Sequence, residues 1–166
     1  MKSDPSAPKV IEHRVNNQNA CIIFLHGFTG SNVETWGKFP EFLIQLPELT
    51  GWDIVSLGYS SALIPDLVGI WNADAPIDKL ATLLRSTVSF GLQKYQTLAV
   101  LAHSMGGLVV QRAVVDDSEF AERISHLFLF GTPSNGLKKT TLVTFLKRQL
   151  RDMKNGSDFI RDLRAR

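Results

Sequence analysis

The chain has 166 residues, of which 44% are hydrophobic and 20% charged, and its formal net charge is +2. This is ordinary globular composition, long enough to bury a sizeable core, and it excludes a disordered or membrane-embedded chain. The one cysteine, Cys21, excludes an internal disulfide framework and a multi-cysteine metal site; within an apolar run it reads as a small buried hydrophobe.

Residues 1–9 read as a flexible lead-in, without the apolar stretch of a secretory leader. The remainder, 10–166, reads as one domain of alternating strand and helix signals. Val10–Val15 is a short alternating run that suits an edge strand. Ala20–Leu25 is a continuous β-rich apolar run, as expected for a strand buried on both faces, and it ends at His26-Gly27. Residues 36–46 carry apolar side chains at helical spacing and stop before Pro47. Asp53–Leu57 is the next strand. A loop rich in Gly, Ser and Pro follows from Gly58 to Pro76, and Pro76 suits the first turn of a helix. Leu80, Leu83, Leu84, Thr87, Val88 and Leu92 continue that helix. Thr97–Ala102 is another buried strand, Gly106–Val115 the helix behind it, and His126–Phe130 a further strand ending at Gly131-Thr132-Pro133. Thr140–Met153 has an apolar face (Leu142, Leu146, Leu150, Met153), and Ser157 suits the N-cap of a last helix. Strands alternating with helices predict a mostly parallel sheet with helices on both faces and loops gathered along one edge.

The charge is uneven along this order. Residues 138–166 hold nine Lys/Arg against three Asp, a local +6 that leaves −4 on the rest. Such a segment could suit an anionic membrane surface or a phosphate-bearing partner, but an ordinary solvated helix face is the favoured reading. No apolar run reaches the ~18 residues of a membrane span, and a cytoplasmic protein is expected.

The chemistry concentrates at Ala102-His103-Ser104-Met105-Gly106-Gly107, between a buried strand and a helix. A serine at the apex of so sharp a turn points out of the sheet, and the positions two before and two after it must be small. Ala102 and Gly106 meet that demand. The turn also places Ser104 at a helix N-terminus, where free N–H groups and the helix dipole favour an oxyanion. The Met105 N–H is one expected oxyanion donor. The Phe28 N–H, in the loop His26-Gly27-Phe28-Thr29-Gly30 after the earlier central strand, is the second. His26 is expected to order that loop, with Gly27 and Gly106 as its close-packed supports.

Cys21–Phe28, Ala102–Gly107 and Phe130-Gly131-Thr132-Pro133 together resemble α/β-hydrolases of the lipase/esterase kind. The A-H-S-M-G-G form is similar to that of small bacterial lipases. The G-T-P-x-x-G turn and Gly156-Ser157-Asp158-Phe159 resemble the branches of GPI inositol-deacylase-like and serine-active-site-containing lipase-like proteins. The resemblance covers roughly residues 10–163. It implies an ester hydrolase with a serine nucleophile, no cofactor, and a small-molecule ester or lipid as substrate.

It also implies an acid and a histidine after the serine in chain order, and there the sequence departs from the pattern. The histidines are His13, His26, His103 and His126, and none follows the strand at 126–130. Asp152, Asp158 and Asp162 fall in predicted helices, and Asn135 stands in the loop where some lipases carry the acid. The expectation is therefore an α/β-hydrolase sheet lacking its last strands, with the triad acid and base absent from this chain and self-association through an open sheet edge. The alternative is a non-catalytic or vestigial hydrolase-like domain. A nucleotide-binding domain is disfavoured: neither G-x-G-x-x-G nor a P-loop lysine pattern is present. No metal or nucleic-acid partner is indicated.

Overall fold

A computed structural model describes residues 9–27, 35–58, 74–132 and 134. All lie in the first of the two compact units into which the chain divides, Met1–Ser134 and Asn135–Arg166. The helices expected over 140–153 and after Ser157 lie outside the described residues, as do Phe28, Thr29, Gly30, Pro133, Asn135 and most of the loop between Gly58 and Pro76.

Five strands are described: β1 (Lys9–Arg14), β2 (Ala20–Leu25), β3 (Trp52–Gly58), β4 (Thr97–His103) and β5 (Ile124–Phe130). They form one sheet in the order β1-β3-β2-β4-β5. β1 runs antiparallel to β3 at one edge, and β3, β2, β4 and β5 are parallel. This is the mostly parallel, helix-flanked sheet that the alternating signals predict. The apolar runs of β2 and β4 are buried along nearly their whole length, because each lies between two strands and under cover on both faces. β5 stands last in the order of the described strands, and its Phe128, Leu129 and Phe130 are all exposed.

Four α-helices are described, α1 (Phe39–Ile44), α2 (Asp74–Gly91), α3 (Met105–Asp116) and α4 (Ser118–Arg123), with a short 3-10 turn at Pro47–Leu49. α1 is shorter than the apolar spacing over 36–46 suggests, because Gly37 takes a left-handed backbone (φ +50°) and interrupts the helical path before Phe39. α4 has no counterpart in the apolar periodicity. It is a six-residue helix capped by the Asp117 side chain, which accepts a hydrogen bond from the Phe120 N–H. Among the described residues no helix is long and apolar enough to cross a membrane.

The core has two sides. Ile22, Phe24, Ile54, Ala99 and Leu101 point one way and pack with Trp36 under Phe39, Leu43 and Ile44 of α1. Alternation along the strands sends Cys21, Ile23, Leu25, Val55, Leu98 and Val100 the other way, all buried. The chain leaves β2 for β3 on one side and then returns to β4 on the other side of β2. The ends of β2 and β4 thus flank the point where the winding reverses, which is where open α/β sheets form their sites.

A candidate active site at the ends of β2, β4 and β5

Ser104 occupies the turn between β4 and α3, with φ 54° and ψ −123°. Left-handed φ is uncommon for a residue with a Cβ, and it costs energy that the surrounding structure must supply. A serine heading a helix ordinarily turns its Oγ back onto the N–H of the second or third residue. Ser104 makes no such bond. The N–H of Gly107, the third helical residue, goes to the Ser104 carbonyl instead at 3.1 Å. The Ser104 side chain is only 3% exposed, and its Oγ has no hydrogen-bond partner among the described residues. The local fold therefore holds an unpaired hydroxyl at the positive end of a twelve-residue helix. Met105 opens that helix, so its N–H is one of the donors with no carbonyl one turn earlier to bond.

Two glycines explain how the loop after β2 approaches this turn. A Cβ on Gly27 would stand 2.9 Å from the Ser104 Cβ and 3.4 Å from its Oγ. A Cβ on Gly106 would stand 2.6 Å from the His26 carbonyl oxygen and 3.0 Å from that of Leu25. Backbone faces backbone there, so only glycine permits the contact. His26 is buried, and its Nδ1–H donates to the Gly27 carbonyl at 2.6 Å. Ser104, Met105, Gly106, His26 and Gly27 thus come together; Phe28, the other expected oxyanion donor, lies outside the described residues.

The end of β5 forms the third wall. The Ser104 N–H donates to the Phe130 carbonyl at 2.8 Å, which extends the β4–β5 pairing into the turn. Gly131 then takes φ +58° and redirects the chain. Thr132 follows, and its side chain lies over Gly107: a Cβ there would be 2.0 Å from Thr132 Oγ1. Gln111 ties this segment to α3 by donating to the Gly107 carbonyl at 3.1 Å and to Ser134 Oγ at 3.2 Å. Thr132 Oγ1 is buried and without a partner among the described residues, the same condition as Ser104 Oγ. Sequence reasoning passes over Thr132. The G-T-P turn marks the end of a strand, and nothing local shows which hydroxyl will be desolvated.

All four histidines are placed. His13 shares a 2.7 Å hydrogen bond with the buried Ser56 Oγ. His126 stands near the start of β5, the opposite end from Ser104, and bonds the Ser125 hydroxyl. His103 packs edge-on against Trp36 with ring centroids 6.3 Å apart. Burial lowers the His26 pKa; the Gly27 carbonyl opposes that shift and His103 adds to it. Burial alone lowers that of His103. Both rings are thereby disposed to be neutral near pH 7.

The fold has counterparts among known proteins. A family model described as alpha/beta hydrolase matches residues 53–166, more than half of the chain. The chain belongs to the α/β-hydrolase family. Solved structures of similar fold include a carboxylesterase of the ammonia-oxidizing thaumarchaeon Nitrososphaera gargenis, at 12% identity and TM-score 0.58 over 90% of this chain and 50% of that one. A lipase-esterase related protein of Clostridium acetobutylicum matches at 14% identity and TM-score 0.54, over 91% of this chain and 60% of that one. The mature lipase BlEst2 of Bacillus licheniformis matches at 17% identity and TM-score 0.50, over 97% of this chain and 57% of that one. This α/β-hydrolase therefore spans between half and three-fifths of the length of these structures. Among curated proteins no relative is found by sequence.

Proposed function

We propose that this α/β-hydrolase cleaves carboxylic esters with Ser104 as nucleophile. The observation that carries the reading is the state of Ser104: a serine in a left-handed conformation, buried, with Oγ unpaired among the described residues at a helix N-terminus. Structural demands alone favour glycine at such a backbone position; a side chain retained there despite the cost points to use of the hydroxyl. Oγ adds to the ester carbonyl carbon, its proton passes to a general base, and the carbonyl oxygen becomes an oxyanion. The N–H of Met105, and that of Phe28 in the neighbouring loop, receive that charge. Collapse expels the alcohol and leaves an acyl-serine, which water hydrolyses in turn. Carboxylesterase and lipase neighbours support a small-molecule ester as the substrate class.

The base and its orienting acid belong, in this reading, to residues outside those described. His13 and His126 are bonded elsewhere, His26 directs Nδ1–H to Gly27, and His103 lies against Trp36. Without a base serine is a weak nucleophile, and loss of triad members costs several orders of magnitude in rate while oxyanion donors and binding leave a residue of catalysis. The same placement favours a second reading, a hydrolase-like domain without catalysis. An alkyl fluorophosphonate separates them. Ser104 Oγ displaces fluoride from phosphorus, and the adduct is found by intact mass and peptide mapping. Labelling of the wild type and not of Ser104→Ala is expected; a folded wild type that stays unlabelled removes catalysis by this chain.

A further inference from the structure

Two hydroxyls beside one helix start are buried and have no partner among the described residues, and only one of them is accounted for by the proposed chemistry. The second is Thr132 Oγ1. We infer that the Thr132 hydroxyl is a working group of the Ser104 site, unpaired at rest and hydrogen-bonded to an oxygen of the ester or its tetrahedral adduct once the serine reacts. This rests on the reading of Ser104 as nucleophile.

Position is the first support. A closed path of contacts joins the two residues. The Ser104 N–H bonds the Phe130 carbonyl, two residues before Thr132. The Gly107 N–H bonds the Ser104 carbonyl, and the Thr132 side chain lies over Gly107. Thr132 is therefore packed against the first turn of the helix that Ser104 heads, where the helix dipole and free N–H groups favour developing negative charge. Gly107 leaves this space open: a Cβ there would meet Oγ1, Cγ2 and Cβ of Thr132 at 2.0, 2.6 and 2.8 Å. The cleft above α3 is thus filled by threonine in place of a methyl group on the helix itself.

Chemistry is the second support. A buried hydroxyl without a partner forfeits its hydration and receives nothing in return. Packing over Gly107 needs only the shape of the side chain, and valine has that shape without the penalty. The rest of this segment shows the opposite care: Gln111 satisfies both the Gly107 carbonyl and Ser134 Oγ. A desolvated donor beside a desolvated nucleophile is what a preorganised site requires, because the group need not shed water when charge develops.

Two variants test this on the whole chain. Thr132→Val keeps the shape and deletes the hydroxyl; Thr132→Ser keeps the hydroxyl. Each is measured for thermal midpoint and for the second-order rate of labelling by an alkyl fluorophosphonate. Thr132→Val is expected to melt at or above the wild type and to label about tenfold or more slowly, the loss of one hydrogen bond to a charged group. Thr132→Ser is expected to label close to the wild-type rate. The inference is overturned if Thr132→Val labels as fast as the wild type. It is also overturned if that variant melts lower, which would show the hydroxyl paired at rest. Equal slowing in both variants overturns it too, since the methyl would then be what matters. A folded wild type that does not label removes catalysis by this chain, and this inference with it; a labelled wild type with an unaffected valine variant removes Thr132 alone.

Discussion

Replacing Ser104 separates what the turn costs from what it does. The left-handed backbone at Ser104 (φ 54°, ψ −123°) is of a kind that costs about 1–3 kcal/mol for a residue with a Cβ. The buried, unpaired Oγ adds a desolvation penalty of about 1 kcal/mol or more. Ser104→Ala removes the second contribution and keeps the first. Ser104→Gly removes both, at about 0.5–1 kcal/mol of extra chain entropy in the unfolded state. The expected order of stability is glycine above alanine above serine, with alanine gaining about 1 kcal/mol and glycine about 2 kcal/mol. For a chain of this length that corresponds to roughly 2–4 °C per kcal/mol in thermal midpoint. Urea titration followed by circular dichroism, with unchanged m-values, measures the same differences. Neither variant should react with a fluorophosphonate. Two results refute the reasoning in different ways. Glycine no more stable than alanine would mean the turn is unstrained; both variants less stable than the wild type would mean Oγ is bonded in the resting protein.

Other consequences can be measured on the same protein. Gly106→Ala drives a methyl to 2.6 Å from the His26 carbonyl oxygen, between two backbones that cannot turn aside, so it should lose about 2 kcal/mol in urea titration and label poorly. Asp53 is fully buried at the start of β3. It accepts from the Asn16 N–H at 2.8 Å and the Tyr95 hydroxyl at 2.9 Å, with Lys94 Nζ 3.5 Å away. Burial pushes its pKa up, but the hydrogen bonds and Lys94 together outweigh burial and leave it below the ordinary aspartate value. The folded pKa is thus the lower one. The network's contribution is complete above the unfolded aspartate pKa of ~3.9 and disappears as pH falls through the folded value. Asp53→Asn should cost about 2–3 kcal/mol at pH 7 and flatten the loss of stability below pH ~4, read from urea midpoints across pH. Burial first, and then the Asp53 charge, raise the Cys21 pKa to about 12. Its thiol should be silent to Ellman's reagent at pH 8 until urea unfolds the chain; rapid reaction of the native protein would contradict the buried position.

Much of this fold is legible residue by residue. Ala20–Leu25 and Thr97–His103 are apolar along their length because they lie in the middle of a parallel sheet, and that pattern needs no partner to be read. Val10–Val15 alternates as the antiparallel edge strand does. The small residues around Ser104 announce a tight turn, since steric exclusion acts within a few bonds. α4 escapes notice because its stability comes from the Asp117 cap and the burial of Phe120, not from a long apolar stripe. Asp53 reads as an unremarkable polar residue opening a strand, although it is one of the four buried polar or charged residues among those described, because its partners at 16, 94 and 95 are distant along the chain.

The division follows from the range of the forces. By itself the sequence determined the strand and helix types, the α/β class and the serine at a strand-to-helix turn, all properties of side-chain period and local sterics. Only the tertiary structure decided that β2 lies between β3 and β4, that Gly27 and Gly106 bring the β2 loop against Ser104, and that the hydroxyls of Ser104 and Thr132 find no partner among the described residues beside one helix start. Those features depend on which distant segments are neighbours, and hydrogen-bond satisfaction and close backbone packing exist only once the neighbours are in place.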